Sequence, residues 1–484
     1  MYGRLAGCCL LLAGLLTGAD AAANVQPNVL LVIADDLNND IGAYGHAVME
    51  TPNIDRLARR GVLFDRAYAQ YPQCNQSRSS FLTGRYPDQT GVLSLKERVR
   101  DALPDVVTLP QHFRNNGYFT ARVGKIFHQG VPDEIGSDGL DDPASWDLSI
   151  NPAGVDVRVN ERIVTIVPPD ADRRRFGGTL SWLRLDGDEA HTDELGAAEA
   201  IHILDRYHPR RTGKPLFLAL GFYRPHTPYV APGRWYDRYP PDRVTLAQVP
   251  PGDREGKPIA ALADRPWQAE MSERQQREAI QGYHASVSFI DEQLGKVLDE
   301  LERQGLAEDT LVVFMSDHGY QLGSHGLWQK RDLYENSVRT PLVLVAPGQL
   351  NAGSRSDVLV ELVDLYPTLV ALAGLPDPES PLEGRDLVKI LAGRETPRAS
   401  ALSQSWSAAQ WTRPEWRGRQ IMGYTIRTDH YRYTEWGGGA EGIELYDYRE
   451  DPKEYRNLAN DPAYEALVRG LKTELDRRRI AASR

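Results

Sequence analysis

Two apolar runs that end in acids constrain this chain more than any other feature. NVLLVIADD (28–36) and TLVVFMSDHG (310–319) are short, rich in β-branched and aromatic residues, and show no polar alternation. Such runs read as strands buried on both faces, the habit of parallel sheets. LFLALGFY (216–223) and TPLVLVAPG (340–348) repeat the pattern, and YFTARVG (118–124) is strand-like. Helical segments alternate with them. TPNIDRLARRG (51–61) has a Thr cap, Pro near its start and Gly at its end; VTLPQHFRNNG (107–117) is similar. A long amphipathic stretch covers 272–305, and VELVDLYPTLVALAG (360–374) predicts one more helix. The expected fold is therefore α/β, a large mixed, mostly parallel sheet sandwiched by helices. In such sheets the functional groups gather at the carboxyl ends of the strands.

Beyond about residue 395 the pattern changes. MGYTIRTDHYRYTEW (422–436) alternates, GGGAEG turns the chain, and IELYDYREDP follows. An antiparallel hairpin closed by a helix near 463–479 is expected, a smaller C-terminal antiparallel α+β subdomain. The expected organisation is a signal peptide over 1–23, a catalytic domain over 24–395 and the C-terminal subdomain over 396–484. The first segment has Arg4, an apolar stretch from Leu5 to Leu16, and Ala19-Asp20-Ala21 as a cleavage signal. It is too short to span a bilayer, so the mature chain should be exported, periplasmic or secreted, with no transmembrane segment. Removing it takes Cys8 and Cys9 away and leaves Cys74 as the one cysteine of the mature chain.

The formal net charge of −11 argues against a nucleic-acid coat or an anionic-membrane binder. An anionic substrate would need Arg, Lys and His concentrated at its own site. The strand ends offer them. Asp35-Asp36 and Asp317-His318 follow two buried strands, and four such ligands suit a divalent cation. Carboxylates favour a hard ion, Ca²⁺ or Mg²⁺, although one His would also be comfortable with Mn²⁺ or Zn²⁺. Cys74 should open a helix over SRSSFLTGR, facing unpaired backbone N–H groups, with Arg78 returning over the same end. Lys125 and His128 in VGKIFH are expected on one face of a helical turn; His226 follows the strand 216–223, and Lys330 lies past Asp317-His318. Singly, each of these is an ordinary surface group. Together they supply a positive field and imidazoles for proton transfer.

These segments, in this order, resemble the type I sulfatase family of the alkaline-phosphatase-like superfamily, in particular its iduronate-2-sulfatase branch. The resemblance rests on NVLLVIADDLN, TPNIDRLARRGVLFDRAYAQ, CNQSRSSFLTGRYPDQTG, VGKIFH, DDPASW, GFYRPHTPY, YHASVSFID, SDHGYQLGSHGLWQK, MGYTIRT and ELYDYREDP. It implies that Asp35, Asp36, Asp317 and His318 hold one Ca²⁺, with Cys74 oxidised to formylglycine, whose hydrate is both nucleophile and metal ligand. Arg78 and Lys125 would stabilise that hydrate, Lys330 and His226 would grip sulfate and protonate the departing sugar oxygen, and His128 would deprotonate the sulfated hydrate to expel sulfate. The implied partners are a sulfated saccharide and a formylglycine-generating enzyme. The implied substrate is a 2-O-sulfated hexuronate at a chain end, with loops 131–192 and 226–270 walling a closed pocket. A phosphoester or phosphonate ester hydrolase of the same superfamily and a non-catalytic sulfated-glycan binder are the alternatives. One residue departs from the family's maturation signal: Gln76 stands where Pro, less often Ala, is usual, while the downstream LTGR is kept.

Overall fold

The computed structural model describes residues 26–167, 180–265 and 267–483. The segment read as a signal peptide, and residues 168–179 of the first wall loop, lie outside the described residues.

Asn28–Asp35 forms the centre of a nine-stranded sheet, and every residue of it is buried. It pairs in parallel with Leu216–Pro225 on one side and with Thr310–Ser316 on the other, in the registers Leu31↔Ala219 and Leu31↔Val313. Phe119–Gly124 and then Leu148–Ile150 extend the parallel array outward from Leu216–Pro225. Beyond Thr310–Ser316, Leu342–Val345 runs antiparallel to that strand and to Val62–Tyr68. Ser354–Glu361 then pairs in parallel with Val62–Tyr68. The sheet is thus mixed and mostly parallel, as expected. The run 340–348 is a strand, but its apolar composition carries no direction, and it is the reversed one. The helix expected over 360–374 starts later, because Val360 and Glu361 still belong to a strand; Leu365–Leu372 is its α-helical part.

Alternate residues of the central strand feed two cores. Leu30, Val32 and Ala34 pack with Tyr283, Val287, Ile290 and Leu294 of the helix Glu273–Arg303. Val29, Leu31 and Ile33 pack with Phe81, Phe113, Leu365 and Leu369 on the opposite face. Each Val, Leu, Ile or Phe among them contributes about 1.5–3 kcal/mol by leaving water, so the strand is locked in register by its two faces. The long helix begins with a reciprocal cap in which Ser272 and Gln275 satisfy each other's backbone N–H groups.

A second sheet of four antiparallel strands, Ala401–Trp406, Met422–Arg427, Tyr431–Trp436 and Ile443–Asp447, makes the C-terminal subdomain with the helix Glu465–Ala482. Leu471, Leu475 and Ala482 of that helix cover Ile426, Tyr433 and Leu445. Buried charge ties the subdomain to the main sheet: Glu361 accepts from Arg398 and from Arg478, and also from the Tyr86 hydroxyl at 2.6 Å. Among the described residues, no helix is long and apolar enough to cross a membrane.

Candidate active site

The parallel strands all deliver their carboxyl ends to one edge of the sheet, and the polar residues named from the sequence meet there. At Asp35 the chain leaves its strand through a register shift, and Asp36 turns in the left-handed region at φ 69°. Its N–H donates to Asp317 Oδ1 at 3.2 Å, which links the two acid-bearing strand ends directly. Ser316 Oγ donates within the same junction and accepts from Leu37 N at 2.8 Å.

Cys74 is the first residue of the helix Cys74–Thr83, all ten residues of which are buried. Gln73 precedes it in an extended conformation and gives no side-chain cap. The first N–H groups of the helix therefore have no side-chain cap from Gln73, and such a helix start favours negative charge. Around Sγ stand Lys330 Nζ at 3.1 Å, His318 Nε2 at 3.5 Å and Asp36 Oδ1 at 3.8 Å. Burial pushes the Cys74 thiol up, but the charges of Lys125 and Lys330 and hydrogen bonds from His128 and His226 outweigh it and hold it well below the ordinary thiol range. The position is built to carry negative charge.

Arg78, four residues on, is fully buried and fixed at nearly every donor. Nε donates to Asp317 Oδ2 at 2.9 Å, Nη2 to Asp35 Oδ1 at 3.2 Å, and Nη1 to the carbonyls of Lys125 (2.6 Å) and Ile126 (2.9 Å). Lys125 Nζ donates to the other oxygen of Asp35 at 2.6 Å. Burial works against the Asp35 charge, as does Cys74, but Lys125, His226 and Arg78 hold its carboxyl below the usual carboxylate range.

Lys125 and His128 do not share a helical turn. Gly124 at φ 71° ends the strand Phe119–Gly124, and residues 125–130 are an irregular loop. That loop crosses Leu216–Pro225 so closely that a Cβ on Gly221 would lie 2.0 Å from the Lys125 carbonyl. Glycine at both positions is what lets Lys125 reach Asp35. His128 still faces Cys74. Burial lowers its pKa, and its Nδ1 is buried without a partner, which favours a neutral imidazole beside Cys74. His226 follows its strand as expected, with Nδ1 2.5 Å from the Thr227 carbonyl and Nε2 3.8 Å from Asp36 Oδ2. Lys330 also donates to Asp36 Oδ1.

Two overlapping sets of donors could hold a cation, Asp35, Asp36, Cys74 and His226, and Cys74, Asp317 and His318. Within each set the ligand atoms lie within 4.8 Å of one another. Asp36 Oδ2 is buried with no hydrogen-bond partner, an acceptor left for a cation. Three carboxylates, Asp35, Asp36 and Asp317, face three fixed cations, Arg78, Lys125 and Lys330. The set is close to neutral by itself, so a dication would leave a net positive pocket for an anion. The residues fit such an ion, and carboxylate oxygens suit a hard one. Sequence reasoning placed His226 with the sulfate and did not foresee it within ligand reach. It also missed Ser316 and Tyr283, whose hydroxyls hold the backbone of the acid-bearing turns. A lone Ser in an apolar strand and a Tyr on an apolar helix face read as core.

The family model described as Sulfatase matches residues 27–375, and that of the N-sulphoglucosamine sulphohydrolase C-terminal region matches 323–481. Iduronate 2-sulfatase of Mus musculus is 33% identical, covering 92% of this chain and 93% of the relative. A sulfatase of Formosa agariphila is 31% identical, covering 93% and 86%. Among solved structures, phosphonate monoester hydrolase of Agrobacterium radiobacter superposes with a TM-score of 0.75 at 23% identity, covering 94% of this chain and 96% of the other. That likeness shows the shared fold. With its sheet, its acid-bearing strand ends and these matches, the chain belongs to the sulfatase family and is a sulfuric ester hydrolase.

Proposed function

We propose that this enzyme removes the 2-O-sulfate of a hexuronate at the end of a saccharide chain, using formylglycine derived from Cys74 and one Ca²⁺. The observation that carries the proposal is the placing of Cys74 at the head of a buried helix, ringed by Lys330, His318, His128 and His226. The match to iduronate 2-sulfatase over most of the chain supports the substrate. We likewise propose that the chain is exported to the periplasm or beyond, with a division near residue 395, and that a formylglycine-generating enzyme matures it.

Asp35, Asp36, Asp317 and His318 would hold the cation, which when bound polarises a sulfate oxygen. The formyl group, when hydrated, supplies an oxygen nucleophile and lets the aldehyde re-form as sulfate departs. The remaining work falls to the chain's own side chains. Arg78 and Lys125 fix Asp35 and keep positive charge next to the nucleophile. Lys330, already bridging Asp36 and position 74, binds a non-bridging sulfate oxygen. His226 Nε2 faces the same site and can deliver a proton to the departing sugar oxygen, while its Nδ1 is held by the Thr227 carbonyl. His128, neutral through burial, accepts a proton from the oxygen at position 74. Loops 131–192 and 226–270 are proposed to wall an exo-acting pocket.

Hydrolysis of matched aryl sulfate and aryl phosphate tests the chemistry: sulfate should be preferred, and a clear phosphate preference would overturn the proposal. No turnover of either, with retained binding of sulfated glycan, would mark a non-catalytic binder. Chelation should abolish activity, and Ca²⁺ should restore it best; rescue by Zn²⁺ alone would contradict the ligand assignment.

A further inference from the structure

One buried guanidinium spans the turn that carries His226. Arg224 stands next to last in the strand Leu216–Pro225 and is 1% exposed. Its Nε donates to the Val230 carbonyl at 3.1 Å, and Nη1 reaches the His226 carbonyl at 3.5 Å. Both ends of the turn 226–230 therefore hang on one side chain. Nη2 donates to Asp156 Oδ2 at 2.7 Å, and both partners of this ion pair are buried. Asp156 belongs to the loop 131–192, and its other oxygen accepts from the N–H and the hydroxyl of Thr192, each at 2.7 Å. Thr192 opens the helix Thr192–Arg206. Asp193 beside it accepts from the backbone N–H groups of Tyr223 at 2.8 Å and Arg224 at 3.0 Å. The strand end is thus tied to a helix and to a wall loop before the chain reaches His226.

A buried Arg–Asp pair is no gain in stability by itself, because taking two charges out of water is costly. What this pair supplies is direction. A guanidinium is a flat, rigid fork, and once one edge is locked on a carboxylate its other donors point along fixed lines. Here those lines end on the carbonyls of His226 and Val230. The imidazole is in turn held at Nδ1 by the Thr227 carbonyl, 2.5 Å away, so a shift of the turn carries Nε2 with it. We propose that Arg224, locked by Asp156, is a positioning residue that keeps His226 Nε2 aimed at the departing oxygen. This role rests on the proton delivery proposed above for His226 and adds the residues that hold its imidazole in place. It also gives the wall loop 131–192 a part in the chemistry, because Asp156 sets the direction of the fork.

The test is a pair of size-matched esters, 4-nitrophenyl sulfate and 4-methoxyphenyl sulfate, hydrolysed by the wild type and by Arg224→Lys, Asp156→Asn and His226→Ala. The nitrophenolate is a good leaving group that departs without a proton, whereas the methoxyphenolate depends on receiving one. The ratio of kcat/KM for the two esters therefore reads proton delivery. A smaller folded fraction lowers both esters alike and cancels in the ratio. Arg224→Lys keeps the charge beside Asp156 but loses the fork. Asp156→Asn keeps an acceptor for Thr192 while releasing the guanidinium, and it tests the same contact from its other end. In both variants the methoxyphenyl ester should lose about ten- to a hundredfold more than the nitrophenyl ester, the effect of a small misplacement of a reacting group. His226→Ala should show at least as large a selective loss. A selective loss in His226→Ala with an unchanged ratio in the other two variants overturns the positioning role and leaves the proposed function standing. An equal loss of both esters in His226→Ala shows that His226 is not the proton donor, and the positioning role falls with that assignment.

Discussion

The Tyr283 hydroxyl closes the turn that carries Asp36. It donates to the Asp36 carbonyl at 2.9 Å and accepts from the Asn38 N–H at 2.8 Å, and both it and the turn are buried. Asp36 sits at φ 69°, a region that a non-glycine residue occupies at some cost and that its surroundings must enforce. One phenol on the long helix therefore sets the direction of the carboxylate proposed to bind the cation.

Replacing it should loosen that carboxylate. Tyr283→Phe leaves a carbonyl and an N–H unpaired inside the protein, a loss of about 1–3 kcal/mol. Calorimetric titration with Ca²⁺ should show affinity weakened about tenfold, with the far-ultraviolet circular dichroism unchanged. Ca²⁺ affinity equal to that of the wild type would show that Asp36 holds its conformation without Tyr283.

The two histidines that face position 74 should fail at different stages. His226→Ala removes the proton donor for the departing alcohol, and release of alcohol should slow by about 10²–10⁴-fold from the first turnover. His128→Ala spares that step. Rapid mixing should then show one equivalent of alcohol released in a burst, followed by slow turnover, the kinetic mark of a covalent route. A burst in His226→Ala and none in His128→Ala would exchange the two assignments.

The acids were legible in the sequence because apolar strands must end somewhere, and in a parallel sheet they end together. Asp35, Asp36, Asp317 and His318 announce themselves as polar residues terminating runs that cannot tolerate them inside. Cys74, Arg78, Lys125, His128, His226 and Lys330 were readable by their place after strands and through the family resemblance. What was hidden depends on direction and on tertiary contact. An apolar run such as 340–348 has the same composition whichever way it points. ALSQSW (401–406) forms an edge strand of the second sheet although its Ser and Gln give it no strand-like pattern, because those side chains bond to other segments: Ser403 to the Ala69 carbonyl and Gln404 to Asp88. The helical turn expected at Lys125–His128 gave way to a loop because Gly124 turns left-handed there. Tyr283 becomes meaningful only when a helix distant in sequence is brought to the strand ends.

Stability should depend on pH through His284. It is buried beside the rings of His46 and Tyr239 with no partner at Nδ1. Burial and then the neighbouring His46 push its pKa down to about 3. In the unfolded chain an imidazole binds its proton near pH 6.5, so between these values the unfolded state holds more protons. The stabilisation is complete above about pH 6.5 and is lost as pH falls below it, by up to about 1.4 kcal/mol per pH unit. Urea midpoints measured at pH 7.5, 6 and 5 should fall in the wild type, and fall less steeply in His284→Phe. Parallel lines for the two proteins would show that another group governs the dependence.

Gln76 earns its place by hydrogen bonding. Its amide nitrogen donates to the Leu93 carbonyl at 3.0 Å and lies 2.8 Å from the side-chain amide of Gln73, tying the head of the Cys74 helix to the loop at 93. Proline at this third helical position gives up no intrahelical N–H bond. Gln76→Pro should therefore lower stability by only about 1–2 kcal/mol, the loss of its side-chain hydrogen bonding. It should also raise the matured fraction of Cys74 where the maturation enzyme favours Pro. A fall in stability of more than about 4 kcal/mol would place a larger structural demand on this residue than its hydrogen bonding explains.

The maturation of Cys74 can be read directly from the mass of the tryptic peptide AYAQYPQCNQSR, residues 67–78 of the purified protein. Conversion of the thiol to an aldehyde predicts a peptide lighter by about 18 Da than the unmodified sequence, and trapping by a hydrazide reagent. A peptide found only at the unmodified mass, from enzyme that hydrolyses sulfate esters at full rate, would contradict formylglycine as the nucleophile.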